Sequence, residues 1–162
     1  MGEDVFEMRR FVARLEPGYT MPELLVVVAI LGITALIAIP LVLSYMPGAT
    51  VRYAARELQS GLNRAKLMAV TTRQPVCVQA TAGGYRFFQN TTCTGTPWSG
   101  AGTRANGLFT LTNNIAVALV AGANPVFNQF GIAVQTGTLR VTGQTGRSTT
   151  VSVQASGRVT IP

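Results

Sequence analysis

The sequence predicts an α+β fold in which one long amino-terminal helix precedes an antiparallel β-sheet domain. Three observations support this class. Residues 24–51 contain no Asp, Glu, Lys or Arg, which is typical of a membrane helix. Residues 51–72 repeat apolar side chains every three or four positions, the period of an amphipathic helix. Beyond Pro75, short segments that alternate Val with Thr follow one another, as half-buried antiparallel strands do.

The uncharged run forms the first half of the predicted helix. It is longer than the about 20 residues that cross a bilayer core. We expect residues 24–45 to be the membrane anchor, within a spanning half of residues 19–47. Pro40 lacks a backbone N–H and is expected to kink or locally melt this helix. The pair Pro47-Gly48 is a second predicted breaker.

The second half of the predicted helix, residues 49–72, has one apolar face. Its members are Val51, Ala55, Leu58, Leu62, Ala65 and Ala69. Most of the basic and amide side chains lie off this stripe, so we expect the stripe to pack on a sheet. A helix over residues 19–72 would be about 80 Å long.

The β domain is predicted over residues 73–162, within a globular unit of residues 48–162. Ala82-Gly83-Gly84 separates the first two strand segments and is a hairpin signal. A loop rich in Gly, Thr and Ser spans residues 90–106. The predicted strands are PVCVQAT, YRFFQ, GLFTLT, IAVALVA, PVFNQFG, GTLRVTG, STTVSVQA and GRVTIP. Short Thr/Gly/Asn turns between the later segments favour a meander.

Charge is distributed unevenly along the chain. Residues 1–18 have four acids and three arginines, a net of −1, whereas residues 19–162 have ten bases and two acids, a net of +8. This excess predicts a polyanionic partner: nucleic acid, an anionic membrane surface or an acidic protein. Nine of the ten bases are Arg, whose guanidinium group suits bidentate phosphate contacts. The alternative is that the charge only keeps a small domain soluble.

The residue types argue against an enzyme. The chain has no His, the side chain most often used in general acid–base catalysis. Beyond residue 18 the only carboxylates are Glu23, at the membrane, and Glu57, on the helix, so no acid–base pair is expected. The sequence has no Ser-His or Cys-His nucleophile and no phosphate-binding glycine loop. We therefore expect no catalytic residue, no metal site and no cofactor.

The two cysteines, Cys77 and Cys93, both lie beyond the apolar run. They are too few for a structural zinc site, which takes four ligands. In an exported domain an even pair predicts one disulfide. The alternative is two buried free thiols in a reducing compartment.

The start of the apolar run contains a processing signal. An ordinary secretory signal has its cleavage site after the apolar segment, whereas here Gly18 precedes it. Gly18, the aromatic Tyr19, Glu23 and the unbroken apolar run resemble the prepilin peptidase site of type IV pilins and type II secretion pseudopilins. The resemblance implies that residues 1–18 are a leader peptide, that the cut follows Gly18, and that Tyr19 becomes the N-methylated amino terminus.

The same resemblance gives Glu23 a role in assembly. Pilins pair this carboxylate with the cationic amine of the first mature residue of a neighbouring subunit, which would be Tyr19 here. The pair selects the register as subunits enter a filament. The alternative, without processing, is an uncleaved signal anchor whose arginines keep residues 1–18 in the cytoplasm.

Further segments narrow the resemblance to the GspH/FimT group of minor pilins and pseudopilins. The segment ARELQSGLNRAKLMAVTTRQPVCV resembles that group's helix end and first strand, and PVFNQFGIA and SGRVTIP resemble its late strand and closing Gly-Arg. The resemblance implies the pilin fold and a non-catalytic subunit of a type IV pilus or a type II secretion pseudopilus. It implies a single-pass inner-membrane protein with a periplasmic carboxyl-terminal domain, later placed at or near the filament tip. The implied partners are other pilin or pseudopilin subunits and prepilin peptidase.

DNA is the alternative partner. Some FimT-type minor pilins bind DNA during natural transformation through a terminal Gly-Arg-x-Arg. Gly157 and Arg158 match the first half of that motif, while Thr160 replaces its second arginine. The candidate DNA-binding residues are Arg104, Arg140, Arg147 and Arg158. We expect turns between the last strands to bring the last three together for sequence-independent, salt-dependent phosphate contacts.

Overall fold

Residues 19–162 are described by a computed structural model. The predicted leader, residues 1–18, and the cut site at Gly18 lie outside the described residues. One helix, α1, runs from Met21 to Thr72. The described chain forms two compact units, of which residues 19–41 belong to the first and Val42–Pro162 form the second. The second unit contains the latter part of α1 and every strand described below.

The strands of the second unit form one antiparallel sheet. They are β1 (Val76–Thr81), β2 (Gly84–Phe88), β3 (Leu108–Phe109), β4 (Ala116–Phe127), β5 (Ala133–Thr142), β6 (Ser148–Val153) and β7 (Val159–Thr160). Their order across the sheet is β3-β2-β1-β4-β5-β6-β7. The predicted meander is therefore confirmed within β1–β3 and within β4–β7, and the chain crosses from the β3 edge back to the centre between them. The predicted α+β class is confirmed.

Strand β4 joins two segments that the sequence predicted as separate strands. IAVALVA and the start of PVFNQFG form one strand of 12 residues, and the rest of the second segment forms the turn to β5. The register between β4 and β5 shifts between Leu119 and Ala121 and again between Gly122 and Val126. Gly122 has a φ of 74°, which glycine adopts without strain. Pro125 lies in the same irregular stretch, where a missing N–H is tolerated.

Helix α1 is continuous through Pro40 and through Pro47-Gly48. The predicted melting at Pro40 and the predicted break at Pro47-Gly48 are therefore wrong. At the second site the turn between β5 and β6 lies against the helix: a guanidinium nitrogen of Arg147 is 2.9 Å from where a Cβ on Gly48 would lie. Tertiary packing stabilises helices more than local propensity does, and here it offsets the backbone hydrogen bond that Pro47 removes.

The apolar face predicted for the second half of α1 is confirmed as the helix side of the core. All six members of the stripe are buried: Val51, Ala55, Leu58, Leu62, Ala65 and Ala69. Most of this face shares one apolar cluster with inward-facing side chains of the sheet, among them Phe87, Phe127 and Leu139. Removing this apolar surface from water is the main stabilising term of the second unit.

A smaller apolar cluster lies on the opposite face of the sheet. It consists of Phe88, Val126 and the two cysteines. Cys77 of β1 and Cys93 of the long loop form a disulfide, with their Cα atoms 5.2 Å apart. The predicted disulfide is confirmed, and it ties the loop between β2 and β3 to the sheet.

Candidate functional site

Tyr19 and Glu23 lie at the start of helix α1. The Thr20 carbonyl accepts hydrogen bonds from the backbone N–H groups of Glu23 and Leu24, at 3.0 and 3.1 Å, which forms the first turn. Glu23 belongs to that turn, where the helix dipole favours a carboxylate. The Tyr19, Met21 and Glu23 side chains are exposed, so the carboxylate is accessible to a partner.

The first half of α1 is an exposed apolar surface. Leu24, Ile33 and Leu36 are 52%, 62% and 75% exposed, and no side chain in the most apolar 18-residue stretch of the helix is buried. By length and composition this helix could cross a membrane. Apolar surface of this extent is unfavourable in water, which fits a helix that anchors the protein in a membrane.

The candidate DNA-binding arginines do not form one cluster. Arg147 precedes β6 and Arg158 follows it. They therefore flank a strand of six residues, which is about 20 Å long. Arg140 lies on β5, opposite Thr150 of β6 and Ala118 of β4. The expected convergence of these three arginines is not found.

Arg104, the fourth candidate, lies apart from the other three. It precedes β3, where its backbone N–H donates a hydrogen bond to the Leu108 carbonyl at 2.8 Å. Its exposed side chain borders an open hollow lined by residues 110–113. An anion bound in this hollow would therefore not also contact Arg140, Arg147 or Arg158.

Arg64 of α1 is held by aromatic side chains at the β3 edge of the sheet. Its guanidinium group lies 5.4 and 5.3 Å from the ring centroids of Trp98 and Phe109. It also donates a hydrogen bond to the Ala101 carbonyl at 2.9 Å. Phe109 stacks on Tyr85 at 5.1 Å and on Trp98 at 6.2 Å. These rings pack on the core, so they are not a free surface for stacking nucleic-acid bases.

Glu57 is the one carboxylate side chain of the second unit, against ten bases, which gives that unit a net charge of +9. Its Oε2 accepts hydrogen bonds from the backbone N–H and the hydroxyl of Thr112, at 3.1 and 3.0 Å. Burial raises the pKa of Tyr85 to about 12, with the Glu57 charge adding to the rise and Arg64 opposing it. Within residues 19–162, no group of His, Cys, Asp or Glu side chains is arranged to hold a metal ion.

The sequence model of the family described as type II transport protein GspH matches residues 54–157. The chain belongs to the GspH family. The matched range begins in the second half of α1 and ends just before β7. The GspH-family domain therefore contains most of the helix–sheet core and the disulfide, whereas the exposed apolar half of α1 precedes it.

Two solved structures are similar to this GspH-family protein. The minor pseudopilin EpsH from the Type 2 Secretion System of Vibrio cholerae matches with a TM-score of 0.51 and 15% identity, over 69% of this chain and 95% of that chain. The type IV minor pilin FimU of Pseudomonas aeruginosa PAO1 matches with a TM-score of 0.47 and 18% identity, over 69% and 87% of the two chains. No curated protein matches the sequence. The likeness to EpsH shows a pilin-like fold.

One basic hollow in the GspH-family protein was not predicted from the sequence. It is lined by Arg52 of α1 and Arg147 of the turn between β5 and β6. The sequence grouped Arg147 with Arg140 and Arg158 because all three follow one another along the last strands. The approach of Arg147 to the helix is a long-range contact that no local pattern encodes.

Proposed function

We propose that this protein is a minor pilin or pseudopilin, a non-catalytic structural subunit of a type IV pilus or a type II secretion pseudopilus. One observation carries the proposal: an exposed apolar helix continues directly into the helix that packs on the sheet of a GspH-family domain. A soluble domain would be destabilised in water by such a helix. A filament subunit uses it twice, first as a membrane anchor and then as the part that packs against other subunits.

Prepilin peptidase is the proposed processing enzyme. Cleavage after Gly18 would make Tyr19 the first residue of the mature chain and Glu23 its fifth. The start of α1 at Met21 supports this site, because the new amino terminus would directly precede the first helical turn. The peptidase would also N-methylate Tyr19, which keeps the amine cationic.

Glu23 is the proposed assembly residue. A carboxylate at the centre of a bilayer costs about 2.5–3.5 kcal/mol and is usually paired. Residues 19–51 contain no Lys or Arg that could pair with it. The amine of Tyr19 on a neighbouring subunit would neutralise Glu23 and would stabilise one register of the subunit in the filament.

The proposed location before assembly is the inner membrane, with residues 24–45 in the bilayer and the GspH-family domain in the periplasm. The Cys77–Cys93 disulfide supports the periplasm, because disulfides persist in oxidising compartments. After assembly the proposed location is at or near the tip of the pilus or pseudopilus, in contact with other pilin subunits.

Mass spectrometry of the chain from cells with and without an active prepilin peptidase tests the processing. We expect a mature chain that begins with N-methylated Tyr19 only when the peptidase is active. Gly18→Val should remain uncut. The matched control is Gly32→Val, because Gly32 lies in the apolar run with no atom near its Cβ position, and this variant should be cut normally. An uncut wild-type chain beside an active peptidase would contradict the proposal.

Recovery of the chain in purified filaments tests the role of Glu23. Glu23→Ala should lower incorporation by at least about tenfold, since it leaves the neighbouring amine unpaired. Thr34→Ala alters another polar side chain of the same helix half, one that bonds only within the helix, and should assemble like the wild type. Equal incorporation of the two variants would remove Glu23 from the assembly mechanism.

DNA binding is a second candidate function, and the net charge of +9 on the second unit favours it. Because Arg104, Arg140, Arg147 and Arg158 are dispersed, the contacts would spread along a DNA backbone. A gel-shift titration with the full chain in detergent should show affinity that falls as salt rises. Each Arg→Gln change at a contact should reduce the salt slope by about one. Absence of binding at low salt would exclude this function.

A further inference from the structure

A basic hollow of about 480 Å³ lies beside α1 in the second unit. Arg52 of α1 and Arg147 of the turn between β5 and β6 line it, together with Ser148 and Thr149 at the start of β6. The contact of Arg147 with the helix depends on Gly48, whose missing side chain leaves room for the guanidinium group. The hollow therefore places two cations and two hydroxyl groups around one open space.

The two guanidinium groups of the hollow are free to bind an anion. Within residues 19–162, neither Arg52 nor Arg147 makes a side-chain hydrogen bond or an ion pair. Pro162 also borders the hollow. Its backbone carboxylate forms no ion pair with Arg52 or Arg147 within residues 19–162. Glu57, the one carboxylate side chain of the unit, accepts hydrogen bonds from Thr112 instead. Each guanidinium group therefore keeps its five N–H donors for a ligand.

The hollow follows directly after the apolar run. Arg52 is the first charged residue after Glu23. Tyr45 precedes Arg52 by seven residues, which is about two helical turns and places both on one face of α1. Tyr45 is 68% exposed, and tyrosine is enriched where a helix leaves the bilayer. This order of an apolar run, an exposed tyrosine and a free arginine predicts that the hollow lies at the lipid headgroups.

Apolar side chains also adjoin the turn between β5 and β6. Met46, Pro47 and Ile115 line a second hollow there, of about 620 Å³, together with the polar residues Thr50, Asn113, Gln144 and Thr145. A nucleic-acid backbone has only its sugar carbons to cover these side chains, whereas a phospholipid has both a phosphate and long acyl chains. The pair of hollows therefore favours lipid over nucleic acid at this end of the domain.

We propose that the basic hollow binds the headgroup phosphate of an anionic phospholipid such as phosphatidylglycerol. This inference rests on the proposed membrane anchoring and not on the cut after Gly18 or on filament assembly. Arg52 and Arg147 contact the phosphate, and the hydroxyls of Ser148 and Thr149 donate to its oxygens or to the glycerol. The contact holds the GspH-family domain in one orientation on the membrane before the subunit enters a filament.

Native mass spectrometry of the full chain in detergent micelles tests the proposal by comparing bound phosphatidylglycerol with bound phosphatidylcholine. One arginine at an anionic headgroup strengthens binding about fivefold, so we expect the wild type to prefer phosphatidylglycerol by about 25-fold. Arg147→Gln should lower this preference about fivefold, and Arg52→Gln/Arg147→Gln should abolish it. Arg73→Gln removes the same charge just beyond the other end of α1 and should retain the full preference.

Three results would overturn the proposal. One is a wild type without preference for phosphatidylglycerol. Another is a loss in Arg73→Gln equal to that in Arg147→Gln, since net charge alone would then explain binding. The third is displacement of the lipid by a soluble competitor at matched concentration. Glycerol phosphate would reveal a site for free phosphate, and a short DNA duplex would reveal a nucleic-acid site.

The outcome is separable from the proposed processing. An uncut chain that prefers phosphatidylglycerol would support this inference while contradicting cleavage after Gly18. A chain with N-methylated Tyr19 and no lipid preference would do the reverse. Thermal unfolding of the arginine variants in the same micelles should stay close to that of the wild type, because apart from the packing of Arg147 beside Gly48 neither guanidinium group makes a hydrogen bond or an ion pair within the described chain.

Discussion

Tyr85 of β2 packs directly on Gly61 of helix α1, so that its phenol ring fills the space that a side chain at position 61 would need. Both residues are buried, and the ring continues into contacts with Phe109 and Phe87 at 5.1 and 5.5 Å. Glycine inside a helix costs about 1 kcal/mol relative to alanine. Here the close approach of an aromatic ring to the helix backbone offsets that cost and attaches α1 to the β1–β3 half of the sheet.

Gly61→Ala should therefore lower the free energy of unfolding by about 1–3 kcal/mol, the usual cost of overpacking a core. Gly48→Ala is the matched control, because its new Cβ would meet only the end of the flexible Arg147 side chain. Urea unfolding of the full chain in detergent, followed by the fluorescence of Trp98, the single tryptophan, measures both. Equal stability of the two variants would show that the Tyr85 ring moves aside at no cost.

Alkaline pH should destabilise the fold through Tyr85. Its pKa is raised from 10.0 to about 12, so between these values the unfolded chain loses the phenol proton while the folded chain keeps it. The contribution of the neutral phenol to the free energy of unfolding is fully present below pH 10. Above that value stability falls as pH rises, by up to about 2–3 kcal/mol across this window. Urea unfolding at several pH values should show this slope in the wild type and a smaller slope in Tyr85→Phe. Identical slopes would contradict the assignment to Tyr85.

The carboxylate of Glu57 should stabilise the loop before β4. Glu57→Ala removes the acceptor for two Thr112 donors and should lower the free energy of unfolding by about 1–2 kcal/mol. Glu57→Gln retains a carbonyl acceptor and should lose less. A double-mutant cycle with Thr112→Val isolates the side-chain bond, since changes to paired residues are not additive. Strict additivity would mean that the two side chains do not interact in solution.

The buried helix face and the later strands could be predicted from the sequence, because each depends on a local repeat of apolar residues. The stripe from Val51 to Ala69 is apolar at every helical turn, and it is buried whichever sheet covers it. The same holds for Val and Thr in β5 and β6. The sequence predicts two segments where β4 is one strand, and Gly122 and Pro125 lie where these segments meet. The shifts in register between β4 and β5 accommodate both residues. Such a shift depends on the partner strand rather than on the local sequence.

The arrangement of the arginines could not be predicted, because it depends on the lengths of strands and on long-range contacts. Arg147 and Arg158 are near each other in the sequence, yet β6 extends between them and keeps them at opposite ends. Arg147 instead shares a hollow with Arg52, which is distant in the sequence. The disulfide partners were predictable for a simpler reason, since the chain contains only two cysteines.

Removal of the disulfide should lower the free energy of unfolding by about 3 kcal/mol. The bond joins Cys77 and Cys93 over a sequence separation of 16, and closing a loop of this length restricts the unfolded chain by about that amount. Alanine is the suitable replacement, because both cysteines are buried with Phe88 and Val126, where a serine hydroxyl would lack a partner. Urea unfolding should give the same midpoint for Cys77→Ala/Cys93→Ala and for the reduced wild type.

The fluorescence of Trp98 shows whether the disulfide acts by restricting the unfolded chain or by holding the folded loop in place. Its backbone N–H donates to the Phe87 carbonyl at 2.8 Å, and its ring stacks on Phe109, so it reports on the loop that Cys93 anchors. If the disulfide acts mainly on the unfolded chain, the native fluorescence spectrum of the double variant should match that of the wild type while the midpoint falls. A shifted native spectrum would show that the loop itself needs the bond, and an unchanged midpoint would show that the bond contributes no stability.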